Sequence, residues 1–109
     1  MAKVLENKIA FVTGGGSGIG EACAKALALE GATVAIADLD LDGADRVVSE
    51  IINAGGRAKS YKLDVSDDAA IGIVISQIEK DFGGLHIAIN NAGIGGEIAA
   101  TADQTVAGW

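Results

Sequence analysis

A glycine-rich turn near the amino terminus constrains this chain more than any other stretch. It reads Thr-Gly-Gly-Gly-Ser-Gly-Ile-Gly from Thr13 to Gly20, between an apolar run at residues 9–12 and the start of a helical pattern. Glycines have no Cβ, so the backbone can take positive φ and approach a bulky anion. The first turn of a helix adds unpaired N–H groups and the positive end of its dipole. Strand, glycine turn and helix therefore predict a phosphate-binding site.

The rest of the chain alternates between short apolar runs and helical patterns. Strands are predicted at residues 9–12, 33–37, 58–63 and 86–90, and helices at about 19–30, 42–54 and 67–82. The second run is apolar throughout, which indicates a strand buried on both faces of a parallel sheet. The third is more polar, as an edge strand should be. The prediction is an α/β fold, a Rossmann-type parallel sheet in the sequence β-α-β-α-β-α-β with strand order 3-2-1-4.

The apolar spacing also predicts which helix faces are buried. The first helix is expected to bury Ile19, Ala22, Cys23, Ala26 and Leu27. The second is expected to bury Val47, Val48, Ile51 and Ile52. The third, with Ser66 as its cap, is expected to bury Ile71, Val74, Ile75, Ile78 and Phe82. These stripes place helices on both faces of the sheet.

Composition limits the partners. The chain has 109 residues, 8 Lys and Arg against 15 Asp and Glu, and a net charge of −7. Nucleic acids and anionic membranes are bound through Lys/Arg patches, so neither is expected as a partner. One cysteine and one histidine provide neither an intramolecular disulfide nor a metal cluster. No signal peptide or membrane span is visible, so residues 1–109 are expected to form one cytoplasmic domain.

The spacing of the glycines excludes one class of nucleotide site. A Walker A loop needs Lys and then Ser or Thr after Gly20, where this chain has Glu21 and Ala22. The strict G-x-G-x-x-G fingerprint is absent too, and the pattern that fits is T-G-x-x-x-G-x-G. A tight turn without a ligand is the alternative interpretation.

Asp38, at the end of the second strand, favours a dinucleotide. A carboxylate about 20 residues beyond such a turn can accept hydrogen bonds from the ribose hydroxyls of NAD. It would repel the 2′-phosphate of NADP, and the neighbours Gly16 and Leu39 offer no cation. The alternative role for Asp38 is a helix or turn cap, which is the favoured interpretation for Asp40, Asp42 and Asp45. NAD is therefore the predicted cofactor.

Two further motifs complete a pattern that resembles the short-chain dehydrogenase/reductase family from about residue 8 to the last residue. They are Asp64-Val65 and Asn90-Asn-Ala-Gly93. The resemblance implies that Gly14, Ser17, Gly18, Ile19 and Gly20 line the pyrophosphate and ribose, and that Asp38 and Leu39 contact the adenosine. It also implies that Asp64 binds the adenine amino group with Val65 beside the ring, and that Asn90, Ala92 and Gly93 lie near the adenosine ribose. From the residues alone, Asp64 would be a cap before the third helix and Asn90-Asn91 a simple turn.

No catalytic residue is predicted. The family transfers hydride between nicotinamide and an alcohol/carbonyl pair, using a Tyr as general acid/base and a Lys four residues later. The only tyrosine is Tyr61, and Val65 stands four residues on. Cys23 is interpreted as a small core residue and His86, where the family more often has Asp, as structural. An alcohol or carbonyl substrate is expected only where a carboxyl-terminal half is present.

The chain is expected to end before a fifth strand, which would leave the fourth strand with an unpaired edge. Open apolar edges promote association, so self-association as a homo-oligomer or marginal stability is predicted. The alternative function is a non-catalytic nucleotide-binding or self-associating fragment. A methyltransferase shares the strand–glycine–helix–acid order, but the turn at residues 90–93 counts against it.

Overall fold

The computed structural model describes residues 3–16, 18–91 and 99–101. Its elements, in chain order, are β1 (Ile9–Thr13), α1 (Gly18–Leu29), β2 (Thr33–Asp38), α2 (Leu41–Asn53), β3 (Arg57–Lys62), α3 (Asp68–Phe82), β4 (Ile87–Asn90) and β5 (Ala99–Thr101). The predicted alternation of strands and helices is confirmed, with boundaries that differ by at most one residue.

The sheet has the order β3-β2-β1-β4-β5, and its first four strands are parallel. This confirms the predicted order 3-2-1-4. At the carboxyl ends, Thr13 pairs with both Ala37 and Asn90, and Asp38 pairs with Lys62. The glycine turn, Asp38 and Asn90 therefore meet at one edge of the sheet, where open α/β sheets bind ligands.

β5 corrects the prediction of an unpaired edge. It runs antiparallel to β4, with Ala88 opposite Thr101, Ile89 opposite Ala100 and Asn90 opposite Ala99. A strand of three small residues after a glycine-rich segment carries no periodicity that a sequence reading can detect. The prediction of self-association loses the support of an open β4 edge and stays a prediction.

Helices cover both faces of the sheet, which explains why its central strands are apolar throughout. One core cluster joins alternate residues of β1 and β2 to α1 and α2; its members include Val12, Val34, Ile36, Ala24, Ala28, Val47 and Ile51. The other joins the remaining residues of these strands to β3 and α3, through Phe11, Ala35, Tyr61, Val74, Ile75 and Ile78. The predicted face of α3 is confirmed, as is the buried role of Val47 and Ile51 on α2, whereas Ile52 is exposed.

The predicted face of α1 is largely wrong. Its buried residues are Gly20, Ala24 and Ala28, while Ala22 and Ala26 are exposed and Ile19 keeps 52 % of its surface accessible. Small apolar residues surround this helix, so hydrophobicity alone does not select a side. The buried side of α1 is instead determined by the contact between Gly20 and the end of β1, because only a glycine can approach the backbone so closely.

The caps of α2 and α3 are aspartates. Asp40 caps α2 by accepting from the Gly43 N–H, and Asp67 caps α3 by accepting from the Ala70 N–H. The prediction of Ser66 as the α3 cap is therefore wrong by one residue. Ser66 instead donates its N–H and its hydroxyl to Asp64. Among the described residues, none of the helices is both long and apolar enough to cross a membrane.

Candidate nucleotide-binding site

The glycine turn joins β1 to α1 through backbone conformations that favour glycine. Gly14 has φ 65° and Gly18 has φ 59°, both in the left-handed region. The Gly14 N–H donates to the Ala37 carbonyl of β2 at 2.8 Å, so the turn begins as an extension of the sheet. Its position directly before α1 aims the free N–H groups of the first helical turn at the carboxyl edge.

Gly20 brings the start of α1 against the end of β1. A Cβ at this position would lie 2.0 Å from the Gly14 carbonyl oxygen and 2.8 Å from Asn91 Nδ2. No side chain can occupy that space, because the first obstacle is backbone. The glycine therefore places the helix dipole close to the turn, as a phosphate site requires.

Thr13 ties the turn to the end of β4. Its side chain is fully buried, and its hydroxyl donates to Asn90 Oδ1 at 3.1 Å and accepts from the Asn91 N–H at 3.0 Å. Asn91 Nδ2 in turn donates to the Gly14 carbonyl at 3.5 Å. Asn90 thus braces the central strand, and the segment at residues 90–91 is more than a simple turn.

Asp38 faces the same edge and is already engaged with the turn. Its Oδ2 accepts from the Gly16 N–H and its Oδ1 from the Asp40 N–H, each at 3.0 Å. Asp38 thus also has its alternative role, that of a turn cap, through the contact with Asp40. A carboxylate has about four acceptor sites, so each oxygen can still accept from a ribose hydroxyl.

The other acidic residues near Asp38 fit the cap interpretation only in part. Asp40 caps α2 and Asp42 lies in its first turn. Asp45 accepts a hydrogen bond from the Ser60 hydroxyl of β3.

Asp64 lies beside the end of β2 because the Leu63 N–H donates to the Asp38 carbonyl at 3.0 Å. Its Oδ1 accepts from the N–H of Ser66 at 3.0 Å and from the hydroxyl of Ser66 at 2.7 Å, and these bonds lower the pKa of Asp64. The carboxylate is exposed and makes a local turn with Ser66, whereas the cap of α3 is Asp67, so the alternative role of Asp64 as that cap is not realised. The carboxylate remains open to a ligand through its second oxygen.

The apolar residues predicted at the site differ in exposure. Leu39 and Ile19 keep 63 % and 52 % of their surfaces accessible, next to Asp38 and the turn respectively. Val65 instead packs against the core cluster under α3. Leu39 and Ile19 therefore offer flat apolar surface to a ligand. Ser17, Ala92 and Gly93 lie outside the described residues.

Sequence reasoning missed Arg46 as a neighbour of the turn. Its Nη2 donates to the Gly16 carbonyl at 3.1 Å, and the guanidinium pairs with Glu21 and Glu50, each at 2.7 Å. Lys25 bridges the same two glutamates. Hydrogen bonds from Arg46 and Lys25 lower the pKa of Glu21 to about 2, and those from Glu21 and Glu50 raise the pKa of Arg46. The i,i+4 spacings of Glu21–Lys25 and Arg46–Glu50 are visible in the sequence, whereas the contacts between α1 and α2 are not.

Tyr61 has a structural environment. Its side chain is buried under α3, where its hydroxyl donates to Asp81 Oδ2 at 2.8 Å. Burial, with the hydrogen bond to Asp81, raises the pKa of Tyr61 well above its ordinary value. Lys59 shares the same carboxylate oxygen at 2.7 Å. Tyr61 therefore joins β3 to α3.

His86 and Cys23 are also placed as structural residues. His86 Nδ1 accepts from the Ile9 N–H at 3.0 Å, while the His86 N–H donates to the Ile9 carbonyl at 2.9 Å. This pair of hydrogen bonds fixes the start of β4 beside β1. Cys23 packs half-buried against the core between the sheet and α1.

The family of the chain follows from comparison with known proteins. A family model described as short chain dehydrogenase matches residues 8–109, which include the glycine turn, Asp38 and Asn90. The chain belongs to the short-chain dehydrogenase family. Dehydrogenases of that family use nicotinamide cofactors.

Similar proteins from the short-chain dehydrogenase family are longer than this chain. It is 38 % identical to a cyclohexanol dehydrogenase of an Acinetobacter species over 109 residues, which are 100 % of this chain and 43 % of that protein. It is 46 % identical over 90 residues to galactitol 2-dehydrogenase of Agrobacterium fabrum, 83 % of this chain and 34 % of that one.

A solved structure, the hydroxysteroid dehydrogenase of Escherichia coli, matches with a TM-score of 0.81 and 36 % identity, over 84 % of this chain and 39 % of that one. The chain thus spans about two fifths of the length of such relatives.

Proposed function

We propose that residues 1–109 form the NAD-binding domain of a short-chain dehydrogenase that transfers hydride between nicotinamide and an alcohol/carbonyl pair. The observation that carries the proposal is the Asp38 carboxylate, which bonds to Gly16 of the glycine turn at 3.0 Å. A phosphate-binding turn and a ribose-binding acid thus lie in contact at one edge of the sheet.

The residues present fit a dinucleotide. The turn and the first amides of α1 supply donors for a pyrophosphate, and the close approach at Gly20 keeps that space free of side chains. Asp38 supplies acceptors for ribose hydroxyls, while Leu39 and Ile19 offer apolar surface for the rings. When bound, the nicotinamide would supply the hydride chemistry, and these residues would hold the dinucleotide that carries it.

NAD rather than NADP is proposed because of the charges around the turn. Asp38 would face a 2′-phosphate with a negative charge. Arg46, the cation that touches the turn, is paired with Glu21 and Glu50, so its charge is compensated. A phosphate would have to displace two carboxylates to reach it.

We propose that the residues that bind the substrate and transfer the proton belong to the three fifths of such relatives that this chain does not match. The names of the similar proteins include cyclohexanol, galactitol and hydroxysteroid, which are alcohols. An alcohol or the corresponding carbonyl compound is therefore the proposed substrate class.

The Asp38→Ala variant tests the cofactor assignment. We expect it to bind NAD at least about tenfold more weakly than the unchanged chain, because the charged acceptor of the ribose hydroxyls is lost. Its preference for NAD over NADP should fall as well. Calorimetric titration of the 109-residue chain with each dinucleotide measures both effects.

Asp42→Ala is the matched control, since it removes an exposed carboxylate from the first turn of α2. It should leave NAD affinity within about twofold. Equal affinities for NAD and NADP in the unchanged chain would contradict the assignment, and so would an Asp38→Ala variant that binds NAD normally.

A further inference from the structure

Arg46 contacts both ends of the short segment that is proposed to hold the pyrophosphate. On one side, its Nη2 donates to the Gly16 carbonyl at 3.1 Å. On the other, Nη2 and Nη1 reach the two oxygens of Glu21, in the first turn of α1, at 2.7 and 3.3 Å. The residues between these contacts are 17–20. One side chain of α2 therefore bridges the glycine turn and the helix that follows it.

The contact with Gly16 is specific because this residue is held from both sides. Its N–H donates to Asp38 Oδ2, and its carbonyl accepts from Arg46. A Cβ at Gly16 would lie 2.8 Å from that carboxylate oxygen and 2.9 Å from the Ala44 amide nitrogen, so the backbone sits directly on the first turn of α2. The two peptide groups flanking Gly16 are thus fixed, one by the ribose-binding acid and one by Arg46.

Glu21, Glu50 and Lys25 form a charged cluster around the guanidinium of Arg46. Glu21 and Glu50 pair with the two ends of the guanidinium, and Lys25 lies between the same glutamates at 2.7 and 2.6 Å. The four side chains carry two positive and two negative charges. A planar guanidinium can bond to a carbonyl and two carboxylates at once, which a lysine ammonium cannot do with the same geometry.

We propose that Arg46 is a positioning residue for the dinucleotide, which holds the glycine turn in its binding conformation before the ligand arrives. Glycines leave a turn with many accessible conformations, and a binding site that is already ordered loses less entropy when the ligand binds. This role rests on the proposed NAD site. It is separate from contact with the ligand itself, since Arg46 acts through Gly16 and Glu21.

The test compares three variants of the 109-residue chain: Arg46→Gln, Arg46→Lys and Glu50→Gln. Arg46→Gln should weaken NAD binding by about fivefold. Compared with Arg46→Gln, Arg46→Lys should recover more of the thermal stability of the unchanged chain than of its NAD affinity. Glu50→Gln breaks the ion pairs on the far side of the guanidinium but leaves the Gly16 and Glu21 contacts in place. It should change NAD affinity by less than about twofold.

A second measurement, without cofactor, separates this inference from the NAD assignment. The Gly16 amide should exchange its hydrogen several times faster in Arg46→Gln than in Glu50→Gln, as followed by NMR at matched global stability. Failure of the unchanged chain to bind NAD would overturn the proposed function and the ligand role of Arg46 together. Equal exchange rates, or equal NAD affinities in the Gln variants at positions 46 and 50, would overturn the positioning role alone.

Discussion

Replacing Gly20 by alanine is expected to destabilise the chain by at least about 3 kcal/mol, a large part of the stability of a small domain. The added Cβ would lie 2.0 Å from the Gly14 carbonyl oxygen, and no side-chain rotation can relieve a clash with backbone. Relief requires α1 to move away from the end of β1, which also withdraws the helix amides from the proposed phosphate site. Urea unfolding followed by circular dichroism measures the free energy, and calorimetry measures the loss of NAD binding.

Gly72→Ala provides the matched control for this prediction. Gly72 lies in α3, is exposed, and a Cβ there would meet nothing within 4 Å. The same substitution should therefore stabilise the chain by about 0.5–1 kcal/mol, because alanine favours the helix over glycine. If Gly20→Ala were as stable as the unchanged chain, the close approach of α1 to the turn would be wrong.

Thr13→Val is expected to destabilise the chain by about 2–3 kcal/mol although the two side chains have similar shapes. The variant removes a fully buried hydroxyl that accepts from the Asn91 N–H and donates to Asn90 Oδ1. A buried polar group that loses its hydrogen-bond partner is still removed from water, so the free-energy cost of its desolvation is no longer offset. Since these bonds tie β4 to the turn, NAD affinity should fall with stability. Chemical unfolding and NAD titration of the same sample measure the two effects.

The control for Thr13→Val is Thr33→Val. Thr33 is also buried, in β2, but within the described residues its hydroxyl makes no hydrogen bond to another protein group. Its replacement should change stability by less than about 0.5 kcal/mol and leave NAD binding unaltered. Equal destabilisation by the two variants would show that the hydroxyl network at Thr13 has no special role.

The sequence predicts the main part of this fold because local pattern and tertiary structure agree there. Apolar runs such as residues 33–37 fit only a strand covered on both faces, and Gly83 ends α3 with φ 83° as a glycine after a helix should. β5 escapes prediction because its pairing with β4 depends on the path of the chain rather than on its own residues. The buried face of α1 escapes because that helix is apolar on several sides, and the contact of Gly20 decides.

The candidate site also has a part that the sequence predicts and a part that it does not. The glycine turn and Asp38 are visible in the sequence because a phosphate turn and a ribose acid have a characteristic spacing along one βαβ unit. Arg46 and Thr13 are not visible as site residues, since their partners Gly16 and Asn91 lie 30 and 78 positions away. Such contacts depend on which helix turn or strand end folds against the glycine turn. They become apparent only when the elements are packed.

The most direct test of the account is an NMR titration of the isotopically labelled 109-residue chain with NAD. We expect saturable shifts of the amides at residues 14–20 and at Asp38 and Leu39, with the amides around His86, at the opposite end of β4, unaffected. Shifts confined to other surfaces, or no shifts at millimolar NAD, would contradict a dinucleotide site at the glycine turn.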